Sequence, residues 1–298
     1  MVSDMRLNPR PHTAYPLSGK VAFITGGGRG LGAATAMELA KRGAYVVIAD
    51  RDLAIAERTA ASLPDGLGLA VECDVTDLSS VRGAVDLARS TRGRIDLVIA
   101  NAGILGVGGT MRASRPENTA AVMAVNVDGV TNTVTATIED VIANQGQMVL
   151  ISSVFAYMNG AGAIPYAMSK AAVEQLGRGL NTELAMHGVS VMTAYFSLIE
   201  TDMIRDGIDA DPHLLALLSA SPKFMLKRIK PETAAAAIVS GVEERRRRLT
   251  VPGRWRPVST LRGIAAPVLD AKYLTDDAVQ GALDELEKNG IARSTVSR

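Results

Sequence analysis

The chain has one cysteine, Cys73, among 298 residues, which excludes a disulfide framework. A lone thiol fits a reducing compartment, so a cytoplasmic location is expected. Beside Asp74 at a strand end, its expected role is small apolar filler and not nucleophile. Histidine is nearly as scarce. The three present are His12, His187 and His213, and none sits with a serine motif, so a Ser-His-Asp hydrolase is a poor reading. No cluster of His and Cys exists either, and no metal site is expected. No stretch approaches the roughly 18 consecutive apolar residues that span a bilayer. Residues 1–16 mix charges with Pro9, Pro11 and Pro16 and hold no apolar run, so they read as a flexible N-terminal arm and resemble neither a signal peptide nor an anchor. The formal net charge of +1 leaves no global field, and nucleic acid is not expected as a partner. Repeats and low-complexity tracts are also missing.

What is present is apolar: 47% of the residues are hydrophobic, enough for a substantial core. From Lys20 onward, short β-branched runs alternate with longer Ala- and Leu-rich segments, a pattern that implies βαβ units and a parallel sheet. The expected strands are Val21 to Thr25, Tyr45 to Asp50, Gly68 to Cys73, Ile95 to Ala100, Met148 to Ser152, Val189 to Phe196 and Leu249 to Val251. Between them fit helices at Gly30 to Arg42, Leu53 to Ser62, Leu78 to Arg92, Pro116 to Asn144, Tyr166 to His187 and Glu232 to Arg247. Two of these are long for covering one sheet face, which suggests partner contacts. The fold class is therefore α/β, a doubly wound seven-stranded parallel sheet with helices on both faces in a single domain over 17–253. The segment 202–224 interrupts the alternation with Leu214, Leu215, Leu217 and Leu218 between two prolines, and reads as an inserted helical lid. A C-terminal extension, 254–298, carries one expected polar helix from about Asp276 to Lys288.

The first strand delivers Thr25-Gly26-Gly27-Gly28-Arg29-Gly30-Leu31-Gly32 directly into a helix. Glycines let the backbone approach a pyrophosphate, whose charge is favoured by the free amides and dipole of a helix N-terminus. Asp50 ends the second strand, where a carboxylate accepts bonds from a ribose 2′-hydroxyl and repels a 2′-phosphate. This favours NAD over NADP. Against it stand Arg29 and Arg51, either of which could pair with that phosphate. Further along, Tyr166 and Lys170 are spaced to share one helical face, where an ammonium can stabilise a phenolate. Ser153 lies at the carboxyl end of the fifth strand, where ligands bind in such sheets. Its neighbour Ser152 is the rival and takes the role of strand-end packing.

The glycine spacing Gly26, Gly30, Gly32 resembles the Thr-Gly-x-x-x-Gly-x-Gly of the short-chain dehydrogenase/reductase family. Asp74, Asn101-Ala102-Gly103-Ile104, Asn126, Ser153, Tyr166 and Lys170 then follow in that family's order. The resemblance covers about Leu17 to Gly253 and implies a Rossmann-like fold and NAD(P)-dependent hydride transfer to or from a CH–OH carbon. It also implies site roles. Tyr166 would be the general acid/base, Ser153 would hold the substrate oxygen, and Lys170 would act as electrostatic partner and bond the nicotinamide ribose. Asn126 would hold a water in a proton relay, against the plainer reading of a buried Asn satisfying backbone groups. For the cofactor, Asp74 and Val75 would flank the adenine, although Asp74 could instead cap a helix before Thr76 and Asp77. Asn101, Ala102 and Gly103 would line the adenosine ribose, and Ile199 and Thr201 would approach the carboxamide. The family's oligomers imply a homodimer or homotetramer.

The chain departs from the family at Phe196-Ser197-Leu198-Ile199-Glu200-Thr201, where Pro-Gly is usual, and Phe196 is in a position to intrude on cofactor or substrate space. Phe155, Tyr157, Met158, Met168, Met203 and Ile204 could form an apolar, adaptable pocket under the lid. The expected substrate is an apolar secondary alcohol or ketone. The alternative is a catalytically silent NAD(P)-sensing protein, which would not need Asn126, Ser153, Tyr166 and Lys170 together. Arg245 to Arg248, Arg254, Arg256 and Arg262 form the one marked basic cluster. A solvated helix end is its favoured reading, ahead of peripheral contact with an anionic membrane.

Overall fold

Seven short apolar segments pair in parallel: β1 (Val21–Thr25), β2 (Tyr45–Asp50), β3 (Gly68–Glu72), β4 (Leu97–Ala100), β5 (Gln147–Ser153), β6 (Ser190–Phe196) and β7 (Arg248–Val251). Their order across the sheet is β3-β2-β1-β4-β5-β6-β7. The computed structural model describes residues 14–64, 66–219 and 226–296. Most of the expected arm, with His12, and positions 220–224 of the expected lid lie outside the described residues. The strand runs are apolar almost throughout because both faces of the sheet are covered. One core layer joins Ile24, Ile48, Ile99 and Ile151 to the flanking helices, and the other joins Phe23, Val47, Val98 and Leu150.

The strand order reverses between β1 and β4, whose register pairs Thr25 with Ala100. A crevice opens there beyond the strand ends, and the residues that follow each strand meet around it. At the opposite end of β4, the fully buried Asp96 accepts from Lys20 Nζ at 2.9 Å and from the Val21 amide at 3.1 Å. Burial alone would raise this carboxyl, but Arg94, Val21 and Lys20 together hold it below its usual value.

The helices α1 (Gly30–Ala40), α2 (Leu53–Ser62) and α3 (Leu78–Arg92) follow β1, β2 and β3. Asp52 and Asp77 cap the latter two by accepting from Ile55 and Ser79 amides, which satisfies donors that a helix start leaves open. The long helix expected over Pro116 to Asn144 is continuous but not uniform. It runs as α4 (Pro116–Met123), a π-helical turn (Ala124–Asp128) and α5 (Gly129–Ala143). Such a turn inserts one residue and often marks a functional position; here it contains Asn126. α6 (Ile164–Glu183) starts before the expected Tyr166 because Pro165 is accommodated in the first turn.

Beyond β6, the lid comprises α7 (Asp202–Ile204), a π-helical turn (Arg205–Asp209) and α8 (Pro212–Ser219), and α9 (Pro231–Glu243) then leads to β7. The extension is more structured than its sequence suggests. It forms α10 (Arg256–Thr260), α11 (Arg262–Thr275) and α12 (Asp277–Val296), with α12 packed on α8.

The basic cluster is a solvated helix end only in part: Arg247 and Arg256 are exposed and Arg246 pairs with Glu244, while the other four arginines hold distant segments. Arg245 donates to the carbonyls of Gln145, Gly146 and Gly188. Arg248 bonds Ser259 and lies over the Tyr195 ring, Arg254 bonds the Lys227 carbonyl, and Arg262 grips Glu174. A run of arginines reads as one solvated patch only while their partners, distant in sequence, are unknown.

At the β1–α1 turn, Gly26 has φ +60° and Gly32 packs directly beneath it. A methyl group on Gly32 would lie 2.2 Å from the Gly26 carbonyl oxygen and 2.7 Å from Asn101 Nδ2. Both neighbours are fixed, so helix and strand would have to separate. Gly32→Ala should therefore cost about 1–3 kcal/mol of stability in denaturant unfolding; an unchanged midpoint would contradict this packing.

Candidate active site

The crevice brings the glycine turn against the residues after β4. Asn101 Nδ2 donates to the carbonyls of Thr25 and Gly26 at 3.0 and 2.9 Å, and the Asn101 amide donates to Thr25 Oγ1 at 3.2 Å. Ala102 sits against Gly26, with its amide 3.4 Å from the same hydroxyl. Thr201, past β6, packs its methyl beside Gly30. Ile199 is buried and forms a parallel bridge with Ile229. Leu31 turns its side chain into the core, so only its backbone faces the turn.

Asp50 is held at the end of β2. Its carboxylate accepts from the Gly28 amide at 3.0 Å and from the Asp52 amide at 3.2 Å. Arg29 and Arg51 are both exposed. Asp74 does not cap α3, a role that falls to Asp77; instead it accepts from Thr76 Oγ1 and the Thr76 amide at 2.7 and 2.9 Å. Those bonds, with the nearby Arg51 charge, hold the Asp74 carboxyl below its usual range. Val75 is buried, and its carbonyl accepts from Asn132. Cys73 is buried between these groups, and burial with the charges of Asp74 and Asp50 pushes its thiol up to about 12, which fits inert filler.

A dinucleotide fits this arrangement. Arg29, preceding α1, makes no side-chain cap, which leaves the first amides of that helix to an outside acceptor. The left-handed Gly26 and Gly30 keep side chains off the same surface.

At the chemical end, Ser153 and Tyr166 meet on the wall of one cavity. Ser153 Oγ donates to the Phe196 carbonyl and accepts from the Phe155 amide, both at 3.2 Å. Tyr166 packs edge-on to Phe155 with ring centroids 5.9 Å apart. Burial raises its phenol above the ordinary value, while a hydrogen bond with the Ser153 side chain pulls it down. Lys170 lies behind it, 4% exposed, with Nζ 5.6 Å from the Tyr166 ring centroid and donating to the Ile151 carbonyl at 3.0 Å. Ser152 ties strand to helix by donating to the Lys170 carbonyl at 2.8 Å, the packing role expected of it.

Asn126 is fully buried. Its Nδ2 donates to the Ile104 carbonyl and to Ser169 Oγ, each at 2.9 Å, and its Oδ1 accepts from the Ile104 amide at 2.8 Å. It therefore does satisfy backbone groups. It also faces Lys170 across Gly103, where a methyl group would lie 3.2 Å from Asn126 Oδ1 and 3.4 Å from Lys170 Nζ.

The cavity encloses about 1210 Å³ of empty space, with open solvent at its mouth included. Phe155, Met158, Met203 and Ile204 line it as expected, together with lid residues Leu214, Leu217 and Leu218. Tyr157 does not; it is buried with Tyr195 in a cluster that reaches the cavity through Trp255. Met168 is 49% exposed and turned away on α6. Phe196 does not enter the cavity, because its side chain joins the core beside Ile199 and Val251, and Ser197 and Leu198 take the wall. Unforeseen contributors are Trp255, Tyr273 and Val279 of the extension. Only their apolar character hinted at this, since the tail carries no motif.

The model of the short chain dehydrogenase family matches residues 20–211, so 254–298 lies outside the matched segment. The chain is 35% identical over 207 residues to the (-)-trans-carveol dehydrogenase of Rhodococcus erythropolis, covering 64% of this chain and 74% of that one. It is 32% identical over 184 residues to the meso-2,3-butanediol dehydrogenase of Serratia marcescens, covering 62% and 73%. Among solved structures, the 3-ketoacyl-(acyl-carrier-protein) reductase from Brucella melitensis, complexed with NADH, superimposes with a TM-score of 0.70 at 29% identity, over 80% of this chain and 99% of that one.

Burial lowers the Lys170 ammonium from 10.5 to about 8. Below that pH the fold bears the cost of a buried charge; the cost falls as the pH rises from about 8 towards 10.5, so this group makes stability increase with pH across that window. In protein labelled with ¹³C-lysine, the Cε resonance lost in Lys170→Arg should titrate near pH 8. A midpoint near the ordinary lysine value would show that the amine is not desolvated.

Proposed function

Since the chain belongs to the short-chain dehydrogenase/reductase family of oxidoreductases, we propose that it transfers a hydride between a nicotinamide cofactor and an apolar secondary alcohol or ketone, with Tyr166 as general acid/base. The observation that carries this reading is the meeting of Ser153 and Tyr166 on the wall of an apolar cavity, with Lys170 buried behind them.

Thr25, Gly26, Gly30, Leu31, Asn101, Ala102 and Gly103 would hold the dinucleotide along the crevice, with Asp74 and Val75 beside the adenine and Ile199 and Thr201 beside the carboxamide. Asp50 would accept the ribose hydroxyl. NAD is favoured because Asp50 is fixed at the end of β2 by two amides and would repel a 2′-phosphate. Arg51, whose charge acts on Asp74, and Arg29 are both exposed. When bound, the nicotinamide supplies the hydride acceptor or donor.

The remaining work falls to the chain itself. Ser153 Oγ holds the substrate oxygen next to the phenol. With burial keeping Tyr166 protonated, the phenol is set to give its proton to a carbonyl oxygen as the carbonyl carbon gains hydride. In oxidation the same oxygen takes the hydroxyl proton, and the Lys170 charge favours the phenolate. Lys170 would also bond the nicotinamide ribose. Asn126, sharing the Gly103 edge with Lys170, is assigned the proton relay to it. The apolar wall excludes water and accepts a bulky hydrocarbon frame. The carveol dehydrogenase relative supports that substrate class, and the butanediol dehydrogenase relative supports the reaction but a smaller, more polar molecule.

Tyr166→Phe should lower turnover roughly 100- to 10,000-fold while cofactor affinity, followed by quenching of Trp255 fluorescence or by calorimetry, persists. Undiminished turnover in this variant would remove Tyr166 from the chemistry.

A further inference from the structure

α11 has two faces, and only the inner one belongs to the site. That side holds Arg262 on the buried Glu174 carboxylate at 2.6 and 2.9 Å, Asp270 on Asn159 at 2.9 Å, and Tyr273 on the cavity wall. The outer side runs Leu261, Ile264, Pro267, Val268, Ala271 and Leu274, spaced at three or four residues along one stripe, apart from the single step within Pro267-Val268. It is uncovered by the described residues: Leu261 is 57% exposed, Ile264 72%, Val268 66% and Leu274 75%. Single exposed apolar residues are ordinary, but a contiguous row marks an interaction surface.

Immediately before the stripe, Thr260 closes a second depression, lined by Arg246, Arg248, Arg256, Thr250 and Ser259. Guanidinium and hydroxyl groups line it; Arg246 pairs with the Glu244 carboxylate at 2.6 Å, Arg248 bonds Ser259, and Arg256 is exposed. A basic, hydrogen-bond-donating depression continuous with an apolar stripe is complementary to an anionic lipid surface, whose phosphates and acyl chains occupy adjacent layers. No described helix is long and apolar enough to cross a membrane, and none is needed, because a helix with one apolar face lies in the interface plane.

We propose that the protein docks on anionic bilayers through the outer face of α11, with the exposed Arg256, beside the paired Arg246 and Arg248, at the headgroups. Docking puts one wall of the cavity a single helix from the lipid, and an apolar alcohol or ketone dissolved in the leaflet reaches Ser153 and Tyr166 along that wall. This second half rests on the proposed reaction; the docking does not. The basic residues alone do not make an interfacial site, since Arg246 and Arg248 have partners within the chain; the stripe supplies its apolar half.

The test is co-sedimentation of the full chain with vesicles of phosphatidylcholine alone and of phosphatidylcholine mixed with phosphatidylglycerol. Binding should need the anionic lipid and weaken with salt. It should fall about tenfold or more in the double variant Ile264→Glu, Val268→Glu, and less in Arg256→Glu. These side chains are exposed and outside the cavity, so melting temperature and turnover of a water-soluble secondary alcohol should be unchanged. No binding of the parent protein to anionic vesicles, or equal binding of the double variant, overturns the proposal. Conversion of an oligomer to a smaller species by the double variant, with vesicle binding unaltered, also overturns it and assigns the stripe to a second copy of the chain. Vesicle binding without hydride transfer on any substrate leaves docking in place and removes the reaction.

Discussion

The fully buried side-chain amide of Asn126 joins the two halves of the site. Both of its amide hydrogens and its oxygen are engaged, on Ile104 after β4 and on Ser169 of α6. Ser169 in turn donates to the Tyr166 carbonyl at 2.7 Å. The loop that borders the nucleotide crevice and the helix that carries Tyr166 and Lys170 are thus tied to one group. Leaving a buried amide unpaired costs about 1–3 kcal/mol, so the arrangement resists slippage. The π-helical turn gives Asn126 its reach, since a regular helix would place the residue differently relative to both partners.

Around that tie, burial sets the electrostatics. Lys170 is drawn down to about 8 by desolvation alone, and the Tyr166 phenol is raised by the same cause. The two shifts move the pair apart in proton affinity: the phenol holds its proton more tightly than in water and the ammonium less tightly, so both groups favour their neutral forms. The extension maintains the burial. Its Arg262 reaches Glu174, one helical turn beyond Lys170 on α6, while Trp255, Tyr273 and Val279 complete the cavity wall. A segment outside the matched family region thereby shapes the space next to the most family-like residues in the chain.

The parallel sheet and the glycine turn were legible because their signals are local. β1, β2, α2 and α3 begin and end where apolar runs, turn residues and Asp caps place them. The placement of Ser153 beside Tyr166 followed from motif order together with the strand-end rule, whereas the bonds of Asn101 to the Thr25 and Gly26 carbonyls emerge only from the structure. Orientation was not legible. Tyr157 and Met168 are apolar neighbours of cavity residues, but one is buried behind the wall and the other faces out. Phe196 replaces a usual Pro-Gly without entering the cavity, because strand alternation points it into the core. Arg245, Arg248, Arg254 and Arg262 of the basic cluster are struts whose partners lie up to 100 residues away. The two helices α10 and α11 carry Pro257 and Pro267, which obscured their pattern.

The central claim is hydride transfer to or from an apolar secondary alcohol or ketone, and following reduced-nicotinamide absorbance across a substrate panel tests it most directly. With NAD and NADP each supplied, cyclic and terpenoid-like alcohols should turn over with higher kcat/KM than small polyols, and NAD should be preferred. Turnover confined to sugars, a strong NADP preference, or no absorbance change with any alcohol or ketone would contradict the account.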